Sequence, residues 1–123
     1  MKRSALPVLA ILIAALTVDA LRLVAQESQP RPQPRVIAIS AKRFEFTPNL
    51  ITLVRGQSVT FRVSAEDREH GFYQKDLGIE LDLSPDHVAE VTITPQTAGH
   101  FVAICDHFCG SGHGNMKMVI NVE

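Results

Sequence analysis

The chain has 123 residues, 46% hydrophobic and 20% charged, with a formal net charge of −1. That length fits one domain. From residue 36 onward, seven Lys/Arg against eleven Asp/Glu leave a charge of −4, which argues against nucleic acid as a partner. An acidic face of that size is an ordinary solvated surface or one that steers a basic partner protein.

The chain opens with Met1-Lys2-Arg3, followed by 15 uncharged residues at 4–18. A basic start before an apolar run predicts an apolar helix over residues 1–26, either a cleaved signal peptide or a membrane anchor. The run is shorter than the ~20 residues that span a bilayer, and Asp19 and Arg22 interrupt it. Both readings place the remainder outside the cytoplasm, because Lys2 and Arg3 stay inside. Residues 27–35 carry three prolines at alternate positions and read as a semi-rigid linker. The folded domain is then 36–123.

Within it, 36–40 is β-rich and opens the domain. Phe44 and Phe46 alternate around Glu45, which predicts both rings on one face. A turn at 47–49 leads to a strand at 50–54, and a second turn to 58–63, with Val59, Phe61 and Val63 on one side. Residues 64–69 are polar and loop-like and deliver His70. Leu77, Ile79, Leu81 and Leu83 alternate as one half-buried strand. Further strands follow at 88–94, at 101–104 leading into Cys105, and at 116–122. Seven or eight short strands with no helix after residue 35 predict an all-β, antiparallel sandwich.

The chemistry concentrates in Cys-Asp-His-Phe-Cys-Gly-Ser-Gly-His-Gly-Asn-Met, residues 105–116. Cys105, Cys109, His113 and Met116 sit within those twelve residues. Glycines at 110, 112 and 114 suit a tight loop, since glycine takes φ > 0 at no steric cost. Thiolate, thioether and imidazole together select copper over magnesium, calcium or manganese. His70, in Glu69-His70-Gly71-Phe72, is the best candidate for a further ligand. Other readings stay open. A Cys105–Cys109 disulfide suits an extracytoplasmic chain but leaves the spacing of His113 and Met116 unexplained. A two-Cys, two-His zinc site leaves Met116 without a role. One blue copper on His70, Cys109, His113 and Met116 leaves Cys105 spare, and copper delivery is binding without electron transfer. His87 and His100 read as surface residues and Met118 as core. No nucleophile–base pair, carboxylate pair or phosphate loop is present, so catalysis by this chain alone is not expected.

The loop resembles the binuclear copper (CuA) loop of cytochrome c oxidase subunit II and nitrous oxide reductase, Cys-x3-Cys-x3-His-x2-Met with an earlier His. It looks closest to the compact subunit II of B-type haem-copper oxidases, and the resemblance covers residues 35–123. It implies a cupredoxin-like Greek-key β-sandwich or barrel. It also implies two copper ions bridged by Cys105 and Cys109, with His70 and His113 as terminal ligands. Met116 would be a weak axial ligand on the copper bearing His70, and the main-chain carbonyl of His107 would complete the set. Many members have Glu or Gln where this chain has His107. The implied partners are cytochrome c or another small redox protein as donor, and the catalytic subunit of a haem-copper oxidase. The implied location is periplasmic, with the N-terminal segment at the membrane. Phe72, Tyr73 and Phe108 flank the ligands as an apolar docking rim or as packing, and the chain has no Trp.

Overall fold

A computed structural model describes residues 32–123 of the chain. The apolar N-terminal helix and most of the proline-rich linker expected from the sequence lie outside the described residues. The strands are β1 (Arg35–Lys42), β2 (Glu45–Thr47), β3 (Leu50–Leu53), β4 (Val59–Ala65), β5 (His70–Gln74), β6 (Ile79–Leu83), β7 (Ala89–Ile93), β8 (Gly99–Ile104) and β9 (Lys117–Val122). They form two sheets, one ordered β2-β1-β4-β7 and the other β3-β9-β8-β5-β6.

Alternation builds both inner faces. Ile37, Ile39 and Ala41 of β1 are buried, as are Val59, Phe61, Val63 and Ala65 of β4, and Met118, Ile120 and Val122 of β9. Between the sheets, Phe72 packs edge-on against Phe46 at 5.1 Å and Phe61 at 6.2 Å, centroid to centroid. Each such aromatic pair adds about 0.5–1.5 kcal/mol beyond its buried area. Phe72 stands two residues after His70, so these aromatic core contacts and the metal-binding end share one strand.

The sheets are mixed, not purely antiparallel. β1 pairs with β4 in parallel, and β3 pairs with β9 in parallel. The chain changes sheets between β2 and β3, so the next strand to return beside β1 arrives in the same direction. Alternation reveals which side chains face inward, but it is blind to strand direction.

Three local expectations are also corrected. Phe44 does not share a face with Phe46. Arg43 and Phe44 make the turn between β1 and β2, leaving Phe44 36% exposed and Phe46 in the core. Leu77 belongs to a single 3-10 turn, Lys75–Leu77, closed by Gly78 at φ 68°, and β6 starts only at Ile79. His70, expected in a loop, instead opens strand β5, which had no sequence expectation, and β4 runs on to Ala65.

Candidate metal centre

Three neighbouring strands of the second sheet deliver the donors, each on its core-facing parity. In β5, His70 shares parity with buried Phe72. Past the end of β8, Cys105 shares parity with buried Ala103. Before β9, Met116 shares parity with buried Met118. The Cys105 N–H donates to the Met116 carbonyl at 3.1 Å, closing the mouth of the loop. His70, Cys109 and Met116 are 0–1% exposed and Cys105 3%. His113 is half-buried beside the Phe108 ring, which is 76% exposed.

The two sulfurs face each other without a bond. Cys105 Sγ lies 3.8 Å from Cys109 Sγ, and both cysteines are free. A disulfide would need about 2.05 Å. His70 Nδ1 is 3.9 Å from Cys105 Sγ, and the His107 carbonyl oxygen is 3.2 Å from the same sulfur. His113 Nδ1 and Met116 Sδ are each 3.7 Å from Cys109 Sγ. Ligand atoms of His70, Cys105 and Cys109 all fall within 4.8 Å of one another. Two thiols, a thioether and an imidazole turned inward at this spacing fit copper, whose preference for soft donors they meet. His70, Cys105, Cys109 and Met116 therefore form a copper site.

The surroundings orient these donors. Asp67 Oδ1 accepts from His70 Nε2 at 2.7 Å, while Asp67 Oδ2 accepts from the Arg43 N–H at 3.0 Å. Partial burial pushes the Asp67 carboxyl up. The bonds from His70 and from the Arg43 and Arg68 backbone more than offset this and bring it down to about 2. An ionised carboxylate only accepts, so Nε2 is the donor in this bond and Nδ1 is left facing Cys105. The Gly71 N–H points at Cys105 Sγ at 3.5 Å. Burial, then the neighbouring Cys105 thiol, raise the Cys109 pKa, and the charge of Arg68 pulls against them.

The loop glycines differ in their reasons. Gly110 takes φ 138°, as the spacing suggested, whereas Gly112 has an ordinary φ of −91°. Gly112 is needed for space, because a Cβ there would collide with the Phe44 ring. His107 turns its ring away from the sulfurs and toward Asp82 Oδ1, at 2.7 Å. Burial opposes protonation of that ring, but the Asp82 hydrogen bond and the charges of Asp106 and Asp82 prevail and raise its pKa. His87 and His100 are both exposed and Met118 is fully buried. Sequence reasoning missed Asp67, Asp82 and Phe44. Only Asp67 left a signal, a carboxylate three residues before a candidate ligand histidine.

The cupredoxin-like domain family matches residues 8–119. Cytochrome c oxidase subunit 2 of Thermus thermophilus is 31% identical over 95 residues, 77% of this chain and 70% of that protein. The chain spans 56% of the protein of the same name from a second Thermus thermophilus source. Among solved structures, the periplasmic domain of subunit II of cytochrome oxidase from Bradyrhizobium japonicum superposes with a TM-score of 0.68 at 18% identity. That match covers 75% of this chain and 86% of the other. A chain of a heme-copper terminal oxidase dimer gives 0.67 at 21% identity, covering 94% of this chain and 96% of that one. On the family match and the Thermus identity, the chain belongs to the cytochrome c oxidase subunit 2 family and carries its cupredoxin domain.

Proposed function

We propose that this domain transfers electrons through a binuclear copper centre and serves as the electron-entry subunit of a haem-copper oxidase. The observation that carries the reading is the pair of free sulfurs 3.8 Å apart, with His70 and the His107 carbonyl near Cys105 Sγ and with His113 and Met116 near Cys109 Sγ. In this reading Cys105, Cys109, His70, His113, Met116 and the His107 carbonyl would hold the two ions, with Met116 and the carbonyl as the weaker donors. Copper, when bound, supplies a one-electron couple. The chain's own residues do the rest. Strands β5, β8 and β9 hold the donors on a packed core that yields little when the charge of the site changes. Asp67 keeps His70 Nδ1 aimed inward. Burial of His70, Cys109 and Met116 excludes water, and half-buried His113 with exposed Phe108 leaves one edge close to an arriving partner.

The donor in this reading is cytochrome c or another small redox protein, and the acceptor is the oxidase's catalytic subunit. The location is extracytoplasmic, by analogy with the periplasmic Bradyrhizobium domain, and residues 1–26 hold the chain at the membrane. The primary test is a copper count and electron paramagnetic resonance spectrum of the copper-loaded full chain. Two coppers sharing one unpaired electron, coupled to two equivalent nuclei, are expected. One copper with a blue-copper spectrum would overturn the binuclear reading. Fractionation with sequencing of the N-terminus tests the tether: a start near residue 21 or 26 in the soluble fraction removes it, and an intact start that co-purifies with a haem-copper subunit supports it.

A further inference from the structure

The His107 ring, next to the ligand loop's cysteines in sequence, has a defined place outside the cluster of sulfurs. The sheet order β8-β5-β6 puts β5 between the strand that feeds the ligand loop and the strand that carries Asp82. A side chain of the loop reaches Asp82 only by crossing β5. It crosses at Gly71, which pairs directly with Asp82 in the β5–β6 register. Gly71 lies between inward-facing His70 and Phe72, so any side chain there would stand on the outer face. A Cβ at Gly71 would overlap Asp106 Oδ1 and come within 2.9 Å of His107 Nδ1. With that space free, His107 lies over the strand. Its Nε2 meets Asp82 Oδ1 at 2.7 Å, and its Nδ1 lies 3.3 Å from Asp106 Oδ1. The carbonyl of the same residue is 3.2 Å from Cys105 Sγ. Only Cα and Cβ separate the anchored ring from that peptide unit, so fixing the ring limits how far the Cα bearing the carbonyl can move.

We propose that Asp82 is a positioning residue for the metal centre. It holds the His107 ring across Gly71 and thereby fixes the His107 carbonyl against Cys105 Sγ. The inference rests on the reading of that carbonyl as a copper donor. Asp82 touches no donor atom itself and acts through His107. The His107 side chain is 42% exposed and that of Asp82 88%, so the pair adds little to folding stability. Its effect lies in geometry, and Gly71, Asp82 and His107 form one unit drawn from three strands or loops.

The test uses the full chain loaded with copper, comparing Asp82→Ala, Asp82→Asn, Glu80→Ala and His107→Ala. Glu80 lies on the same strand and the same outer face, so Glu80→Ala removes an equal charge without touching His107. Expected for Asp82→Ala are an unchanged copper count, an unchanged denaturation midpoint, an altered copper hyperfine pattern and a shifted reduction potential. Asp82→Asn keeps an acceptor oxygen and should recover most of the wild-type spectrum. In a His107→Ala background, Asp82→Ala should change nothing further, because the route between them is gone. A wild-type spectrum and potential in Asp82→Ala would overturn the proposal, as would an equal shift in Glu80→Ala, which would mark a charge effect. A wild-type chain that binds one copper would overturn the underlying reading and this inference with it. Two coppers with an indifferent Asp82 overturn the inference alone.

Discussion

Asp67 Oδ1 sits 2.7 Å from His70 Nε2, and this contact decides which face of the imidazole meets the sulfurs. The other carboxylate oxygen is held by the Arg43 N–H, so the β1–β2 turn braces the same histidine from behind.

Asp67→Ala should therefore lower copper affinity about 10–100-fold, the usual cost of losing a carboxylate behind a ligating histidine. Competition against a chelator of known affinity measures it. Asp67→Asn, which keeps an acceptor oxygen, should lose less. Equal affinity in wild type and Asp67→Ala would show that the ring is oriented by packing alone.

The same carboxylate gives the copper-free domain a pH signature. Its pKa is about 2 in the folded protein, against an ordinary 3.8. A depressed carboxyl stabilises the fold above the ordinary value, and that contribution drains away as pH falls through the folded value. Urea midpoints of copper-free wild type and Asp67→Asn should differ at pH 6 and converge toward pH 2. A gap that stays constant across this range would assign the effect to something other than ionisation.

Gly112→Ala should destabilise the domain by about 1–3 kcal/mol, the usual cost of overpacking. The φ of Gly112 suits alanine, so the penalty arises from collision with the Phe44 ring. Removing the ring should remove the collision. Phe44→Ala combined with Gly112→Ala should then cost clearly less than the two single costs added, as denaturant titration of all four proteins will report. Strict additivity would mean that the ring does not rest on the loop.

The two cysteines should respond differently to serine. Cys109 Sγ has His113 Nδ1 and Met116 Sδ each at 3.7 Å and His70 within 4.8 Å, a mononuclear set without Cys105. Cys105 Sγ has His70 and the His107 carbonyl but no thioether beside it. Cys105→Ser should keep one copper with a strong thiolate absorption band, whereas Cys109→Ser should bind more weakly. Two coppers and an unaltered spectrum in Cys105→Ser would refute the bridging role.

Much of this centre was legible because its chemistry is local. Soft donors at 105, 109 and 116 crowd one loop, with an imidazole at 113 among them. The inner faces of β1, β4 and β9 were legible from alternation alone. β5 was not, since His-Gly-Phe-Tyr-Gln is short and its opening residues read as the end of a polar loop. Strand direction was hidden because parallel and antiparallel partners can show the same in–out pattern. Asp67 left only its spacing of three residues before His70, Asp82 looks in sequence like any other surface acid, and folding reveals which histidines they face. Gly112 was noticed for the wrong property: its value is the missing Cβ, not a special φ.

The shared inward parity of His70, Cys105 and Met116 means that the centre is written in a reading frame as well as in residue identities. A strand shows opposite faces to the core at successive residues, so a one-residue shift turns each side chain outward. One residue inserted in β9 just after Met118 would leave every donor present and in order. If Ile120 and Val122 keep their core seats, Met116 and Met118 must turn toward solvent, while Cys105 and His70 stay where they are. Two inserted residues would restore the phase of Met116 while moving it along the strand axis by about 6–7 Å. A chain with an intact donor pattern but an odd-length insertion in β5, β8 or β9 should therefore be a cupredoxin that has lost its metal.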